Sequence, residues 1–228
     1  MPMRHVPLVT GEYYHIYNRG VDRSSVFRNV SDYRHFLLGL DFYRFTNCPT
    51  KLSLYSIAPL DKQRIIREAQ NESGKHVSLY AYALMPNHFH LLVRQEQDEG
   101  IHTFLFRAMN SYARYFNTKR KRVGPVFQGN FQAVRIESDE QLLHVSRYIH
   151  LNPVVSGIET LSTLATSLYT SYSCYMGRSI SMVDTALICS LAGSQEKYAE
   201  FVRDQELYAR ELHTISHVAI DAFSDELS

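Results

Sequence analysis

The sequence has few of the features of a secreted, disulfide-rich or membrane protein. It contains three cysteines and no tryptophan in 228 residues. Cys48, Cys174 and Cys189 are odd in number, far apart and without CxxC spacing, so they predict neither a disulfide framework nor a thiolate zinc site. An apolar run of about 18 residues and an N-terminal signal pattern are both missing. We therefore expect a cytoplasmic protein that does not associate with membranes.

The chain also lacks an excess of charge, since its formal net charge is +1, but its charges are unevenly distributed. Residues 158–228 carry ten acidic and four basic residues. A stretch in the middle carries seven basic residues and no acidic one: Arg107, Arg114, Lys119, Arg120, Lys121, Arg122 and Arg135. Five aromatic residues lie among them: Tyr112, Tyr115, Phe116, Phe127 and Phe131. This mixture is typical of a surface that grips phosphates and stacks on unpaired bases, although the KRKR run alone also fits a solvated helix end.

Hydrophobic patterning predicts the order strand, helix, strand, strand, helix, strand, helix. We expect strands over residues 13–19, 77–84, 89–94 and 126–136, with the middle two joined as a hairpin through Pro86 and Asn87. Helices are expected after an N-cap at Ser31, over 101–119, and over 139–151, with a short one within 61–70. This order predicts an α+β fold with an antiparallel sheet and ferredoxin-like helices on one face. Residues 1–157 would form this domain, and 158–228 a mostly helical C-terminal extension.

His88 and His90 are candidate metal ligands. They lie two residues apart in the apolar run HFHLLV, so on a strand both imidazoles project from the same face. Such a pair can hold a divalent ion. With eleven histidines in the chain, two structural histidines explain the same spacing equally well.

Tyr148 and Asn152 are the second candidate pair, because a four-residue spacing puts a phenol and an amide on one face of a helix. A tyrosine at an apolar helix position is more often part of the core. Tyr112 and Tyr115 are alternative nucleophiles beside the basic stretch, but their helical spacing favours packing or base stacking.

Four stretches together resemble a known family. YYHIYNRG at Tyr13, YAYALMPNHFHLLV at Tyr80, MNSYARYFNTKRKRVGPVFQGNF at Met109 and YIHLNPV at Tyr148 are similar to the HUH single-tyrosine transposases of the insertion-sequence-200 type. The resemblance is closer to the REP-associated tyrosine transposases. One departure is Asn130, where the family usually has Arg.

The resemblance implies a catalytic domain that cuts and rejoins single-stranded or hairpin DNA. Tyr148 would be the nucleophile and form a 5′-phosphotyrosine, while His88, His90 and Asn152 would hold Mg²⁺ or Mn²⁺. We expect DNA contacts from Asn18 and Arg19 and from the basic residues Arg107, Arg114, Lys119, Arg120, Lys121, Arg122 and Arg135. A monomer is favoured over a homodimer.

Two other functions stay open at this point. A domesticated nickase that no longer mobilises its own gene would share the same chemistry. A non-catalytic nucleic-acid-binding module would share the basic stretch, with structural histidines and a core tyrosine.

Overall fold

The computed structural model describes residues 7–178 and 182–204. Four strands form one antiparallel sheet: β1 (Tyr13–Arg19), β2 (Val77–Met85), β3 (His88–Gln95) and β4 (Gln132–Ile136). Their order in the sheet is β2-β3-β1-β4. The first five helices are α1 (Val30–Tyr43), α2 (Leu52–Tyr55), α3 (Leu60–Asn71), α4 (Gly100–Arg120) and α5 (Asp139–Val155). The later ones are α6 (Leu161–Leu164), α7 (Tyr172–Tyr175), α8 (Ala186–Ala192) and α9 (Gln195–Arg203).

The sheet order and the positions of α1 and α4 confirm the predicted α+β class. Helix α1 connects β1 to β2, and α4 connects β3 to β4, which is the ferredoxin-like arrangement. Both helices pack on one face of the sheet. The core there contains Ile16 of β1, Leu91 of β3, Phe36 of α1 and Tyr112 of α4. Alternate residues of β1 are buried in this core, as expected for a strand with period two.

Helix α5 lies on the other face, which the expectation of helices on one face did not include. Ile149 of α5 packs with Ala83 of β2 and Leu92 of β3, and Tyr198 of α9 completes this second core. Successive β3 residues therefore face opposite layers, Leu91 toward α1 and α4, and Leu92 toward α5. The sheet is therefore covered on both faces, and alternate residues of β3 contribute to two separate cores.

Three predicted boundaries were wrong. Helix α1 is capped by Asn29 and not by Ser31, because the Asn29 side chain accepts a hydrogen bond from the Asp32 backbone N–H. Strand β4 begins at Gln132, because Gly129 has a left-handed backbone with φ of +57° and turns the chain before it. Helix α5 continues through Pro153 to Val155. The loss of one N–H at Pro153 is tolerated there, and Gly157, with φ of +71°, follows the helix end.

The described part of the C-terminal segment covers the open edge of β2. The Leu84 N–H donates to the Tyr169 carbonyl at 2.7 Å, and the Tyr175 hydroxyl donates to the Tyr80 carbonyl at 2.8 Å. An exposed strand edge is prone to pairing with other chains. These hydrogen bonds give backbone groups of β2 partners within the same chain. Residues 179–181 and 205–228 of the predicted extension lie outside the described residues. Over residues 7–178 and 182–204, none of the helices combines the length and apolarity that a bilayer crossing requires.

A buried polar network joins α5 to the C-terminal helices. His150 of α5 is fully buried, and its Nδ1 is hydrogen-bonded to the Tyr198 hydroxyl at 2.7 Å. Its Nε2 is bonded to the Ser171 Oγ at 2.8 Å, and Ser146 of α5 also meets the Tyr198 hydroxyl at 2.9 Å. Burial lowers the pKa of His150 to about 3, so its ring is neutral. The network fixes the position of α5 through its inner side.

Replacing Tyr198 with Phe should lower the free energy of unfolding by about 1–3 kcal/mol, because His150 and Ser146 each lose a buried partner. Urea denaturation measures this change. Tyr172→Phe is the matched control, since its ring packs against His150 while both His150 nitrogens are bonded elsewhere. Equal losses in the two variants would show that the network contributes nothing specific.

Candidate active site

The two histidines of β3 lie on the same face of the sheet, as their spacing predicts, and that face is the one covered by α5. His88 is half-buried and His90 is buried, and their ring centroids are 5.0 Å apart. Phe89 between them points into the opposite core. The His88 Nδ1 lies 2.7 Å from the Asn87 side-chain oxygen, which orients that ring. Both imidazoles thus open on one face of the sheet.

Tyr148 of α5 lies against this histidine pair within the same chain. Its ring is edge-on to the His90 ring, with the centroids 5.7 Å apart, and edge-on to the His15 ring at 5.8 Å. The side chain is not part of the core, because 37% of its surface is exposed. The phenol is therefore next to the imidazoles and also accessible to a ligand. Burial of its remaining surface raises the pKa of Tyr148, and the nearby Asn152 amide partly lowers it.

Asn152 lies one helical turn after Tyr148, in the part of α5 that continues past the predicted end. It is buried, and its Nδ2 has no hydrogen-bond partner among the described residues. A buried amide atom without a partner is rare in folded proteins. Tyr148 and Asn152 thus lie on one side of the helix, as predicted, and the amide is close enough to the Tyr148 phenol to affect its pKa.

His15 is a site residue that the sequence analysis missed. It lies in the middle of β1, and its Nε2 shares a hydrogen bond with the His90 Nδ1 at 2.9 Å. Its ring also stacks on His90, with centroids 5.1 Å apart and planes at 19°. Burial lowers the pKa of His15 to about 4, so the ring is neutral. The register of β1 on β3 brings these residues together, and that register is not visible in a local pattern.

No group of three His, Cys, Asp or Glu side chains within the described ranges converges as a metal site. His15 and His90 use one ring nitrogen each on one another. Asn152, one helical turn after Tyr148, is a buried residue of another type whose amide oxygen could serve as a donor.

The basic stretch is divided between internal pairs and surface residues. Lys119 and Arg120 at the end of α4 both pair with the fully buried carboxylate of Asp32, at 2.9 Å for Lys119. Arg135 pairs with Glu12 at 2.9 Å. Arg107, Arg114 and Lys121 are exposed, and Arg122 donates to the Pro125 carbonyl at 3.0 Å. The stretch contains no acid in sequence, but the fold brings Asp32 and Glu12 to it.

Asp32→Asn should lower the free energy of unfolding by about 2 kcal/mol near pH 7. Burial alone would raise the pKa of Asp32, but hydrogen bonds from the Arg28 backbone, Arg120, Lys119 and Tyr115 outweigh it and hold the pKa at about 2. A lowered pKa stabilises the fold above the unfolded value, near 4, and this stabilisation is lost as the pH falls toward 2. Denaturation of wild type and variant between pH 2 and pH 7 measures the gap, which is the difference between their free energies of unfolding. Asp61→Asn, at an exposed position, is the control, and a gap that stays constant with pH would contradict the account.

Most of the aromatic residues in the basic stretch are not available to stack on bases. Tyr112, Phe116, Phe127 and Phe131 are buried, so the predicted stacking surface is wrong for these four. The Tyr112 hydroxyl donates to the Val26 carbonyl, and the Tyr115 hydroxyl donates to the Asp32 carboxylate. Helix α4 also lies on the face opposite to α5. The two alternative nucleophiles are therefore separated from the histidine pair by the sheet.

Asn18 and Arg19, at the end of β1, contact the loop before β4. Asn18 is buried, and its Oδ1 accepts from the Arg19 N–H at 2.7 Å. The Arg19 Nε donates to the Gln128 side chain at 2.7 Å. Asn130, in the same loop, is exposed. This loop lies at the same end of β1 as the pairing of Tyr17 with His90.

Part of the chain is similar to one family of known proteins. The family model described as "Transposase IS200 like" matches residues 59–152. No curated protein matches the chain. Among solved structures, a REP-associated tyrosine transposase bound to a REP hairpin aligns with a TM-score of 0.49 and 12% identity. The alignment covers 82% of this chain and 96% of that one.

The family match contains the histidine pair on β3, Tyr148 on α5 and Asn152 one turn later. His15 and the C-terminal helices lie outside the matched segment. Transposases are DNA-processing enzymes. The resemblance to the IS200-like transposases that the sequence motifs indicated is thus confirmed over residues 59–152.

Proposed function

We propose that this protein is a metal-dependent single-stranded DNA endonuclease and strand transferase whose nucleophile is Tyr148. The observation that carries the proposal is the edge-on contact between the Tyr148 ring and the His90 ring within one chain. A phenol next to an imidazole pair, on a half-open surface, is suited to attack on a phosphodiester. The match to IS200-like transposases over residues 59–152 supports the same reaction class.

The cation would be held by His88, His90 and Asn152. The donor set fits, because two imidazoles and one amide oxygen carry no charge and leave coordination positions for phosphate oxygens. Coordination would use the Asn152 Oδ1, because an amide nitrogen does not bind such cations; the Nδ2, which has no hydrogen-bond partner among the described residues, would remain as a donor toward the substrate. When bound, Mg²⁺ or Mn²⁺ would polarise the scissile phosphate as a Lewis acid.

The chemical step is a phosphoryl transfer to Tyr148. The phenol oxygen attacks phosphorus in line, the bond from phosphorus to the 3′ oxygen breaks, and the strand leaves as a 3′-OH after taking up a proton. The product is a 5′-phosphotyrosine, so the phosphodiester energy is retained and a 3′-OH can reverse the step. Burial raises the pKa of Tyr148 above its ordinary value near 10, so deprotonation of the phenol requires assistance at the site.

The DNA strand would lie across the end of β1 and the exposed cations of the basic stretch. Arg107, Arg114 and Lys121 are exposed, and Asn18 and Arg19 line the loop next to the histidine pair. Lys119, Arg120 and Arg135 have carboxylate partners that a phosphate would have to displace. We therefore assign the phosphate contacts next to Tyr148 to Asn18 and Arg19, which pair with the start of β3. Arg107, Arg114 and Lys121 would contact phosphates of DNA that extends around the sheet to the α4 face. The preference for hairpin or repeat DNA rests on the sequence motifs.

The catalytic domain would consist of residues 1–157, with 158–228 as a C-terminal extension. We propose that the extension stabilises the position of α5 on the sheet, because Tyr198 and Ser171 are hydrogen-bonded to His150 of α5. We further propose that the protein acts as a monomer, since one chain brings Tyr148 to its own histidine pair.

The proposal is tested by incubating the protein with labelled hairpin oligonucleotides and Mn²⁺. A strand transferase forms a covalent protein–DNA adduct that survives denaturing electrophoresis, together with a free 3′-OH fragment. A binding module shifts the DNA in a native gel and forms no adduct. An unstructured oligonucleotide of the same length is the control for hairpin preference.

A further inference from the structure

We propose that His15 is a positioning residue that accepts a hydrogen bond from the Nδ1–H of His90 and so makes the His90 Nε2 the nitrogen that binds the cation. This inference rests on the proposed function, in which His90 is a metal ligand. It adds a role for a β1 residue that lies outside the segment matched by the family model.

The hydrogen bond between the two imidazoles has two tautomeric forms. Their nitrogens, His15 Nε2 and His90 Nδ1, are 2.9 Å apart, which is hydrogen-bond distance. If His15 accepts, the proton of neutral His90 is on Nδ1, and its Nε2 has a lone pair for a metal. If His15 donates, the proton of His90 is on Nε2, which cannot then coordinate. Metal-binding histidines are usually fixed by a hydrogen bond at the other nitrogen, so the first form is the competent one.

The surroundings of His15 favour a positioning role over simple packing. His15 stacks on His90 and is edge-on to Tyr148, with centroids 5.1 Å and 5.8 Å apart. Tyr17, two residues later on the same strand face, contacts both histidines at 5.3 Å and 5.9 Å. The His15 ring therefore contacts the proposed ligand and the proposed nucleophile at the same time. Two side chains of β1, His15 and Tyr17, therefore contact residues that would act on DNA.

Two substitutions separate acceptance of a hydrogen bond from packing. His15→Gln keeps an acceptor close to the position of Nε2, whereas His15→Leu fills similar space and cannot accept. Binding of Mn²⁺ to the purified full chain without DNA, followed by the electron paramagnetic resonance of free Mn²⁺, is the first readout. We expect His15→Leu to bind about 10- to 100-fold more weakly than wild type, and His15→Gln to recover most of that loss. Equal affinity in wild type and His15→Leu overturns the inference.

A spectroscopic measurement on the wild-type protein gives a second readout that needs no variant. Long-range ¹H–¹⁵N correlation NMR distinguishes a protonated from an unprotonated imidazole nitrogen. In the metal-free chain we expect His90 to carry its proton on Nδ1. A proton on Nε2 overturns the inference even where His15→Leu fails to fold.

Failure of this inference is distinguishable from failure of the proposed function. The hydrogen bond of His15 is to His90, and the His88 Nδ1 is bonded to Asn87, so His88→Ala tests the metal site itself. If wild type and His88→Ala bind Mn²⁺ equally, the proposed metal site fails, and the His15 inference fails with it. If His88→Ala weakens binding and His15→Leu does not, only the role of His15 is overturned.

Discussion

Tyr148→Phe should abolish the covalent protein–DNA adduct and lower strand cleavage by at least about four orders of magnitude, as is typical when a nucleophile is removed. The substitution removes the attacking oxygen and keeps the ring that packs edge-on against His15 and His90. The free energy of unfolding should change by less than about 1 kcal/mol, because the substitution removes only the interaction of the hydroxyl with the Asn152 amide. Denaturing electrophoresis with labelled hairpin DNA measures adduct formation, and urea denaturation measures the free energy of unfolding.

Tyr115→Phe is the control for this experiment. Tyr115 has a hydroxyl beside the basic stretch, but it is bonded to Asp32 on the face of the sheet opposite to α5. The Tyr115→Phe variant should therefore retain the adduct. If Tyr148→Phe formed the adduct and Tyr115→Phe did not, the nucleophile would be Tyr115 on α4, and the assigned site would be wrong.

His88→Ala should lower cleavage by roughly 10³-fold, because loss of a Lewis acid removes several kcal/mol of transition-state stabilisation and each 1.4 kcal/mol is a factor of ten. Chelation of divalent ions in the wild type should have a similar effect. His88 is the better position to change, since it is half-buried and His90 is buried and bonded to His15. Cleavage rates at increasing Mn²⁺ concentrations measure the loss, and a high Mn²⁺ concentration should restore part of the cleavage rate of the variant.

His102→Ala is the matched histidine control. Its side chain is 61% exposed at the start of α4, and it is paired weakly with Glu99 at 3.9 Å. The His102→Ala variant should cleave at the wild-type rate. Full activity of His88→Ala in the presence of a chelator would mean that the reaction does not use a cation at the histidine pair.

Local patterns predicted the strand and the helix that carry the site, although the predicted helix ended before Asn152. The alternation of apolar residues in HFHLLV places His88 and His90 on one strand face, because side chains in a strand alternate with period two. The four-residue spacing of Tyr148 and Asn152 places them on one side of α5 for a similar reason. The hairpin of β2 and β3 turns at Pro86 and Asn87, two adjacent residues that are typical of turns.

The contacts that needed long-range information could not be predicted. His15 and His90 are 75 residues apart, and their hydrogen bond depends on the register of β1 on β3. Asp32 reaches Lys119 and Arg120 because α1 packs on α4, so an acid-free sequence stretch did not imply an acid-free surface. Aromatic residues among charges suggested base stacking, but amphipathic packing buried them. In each case tertiary packing determined the environment.

The face on which α5 packs was the other long-range feature. Its apolar residues could have joined the core of α1 and α4, and the periodicity of the helix does not distinguish between the two sheet faces. The choice is made by Leu92 and Ala83 on the sheet and by Tyr198 and Tyr175 from the C-terminal helices. The same choice brings Tyr148 to the imidazole face of β3.

The central claim is that one chain contributes both the histidine pair and the tyrosine to a single reaction. An equal mixture of the Tyr148→Phe and His88→Ala variants, allowed to exchange subunits before hairpin DNA and Mn²⁺ are added, tests this most directly. We predict no more adduct in the mixture than the two variants form separately, because each chain lacks one half of its own site. Recovery of a substantial fraction of wild-type adduct would show that the tyrosine of one chain serves the histidines of another, which contradicts the account.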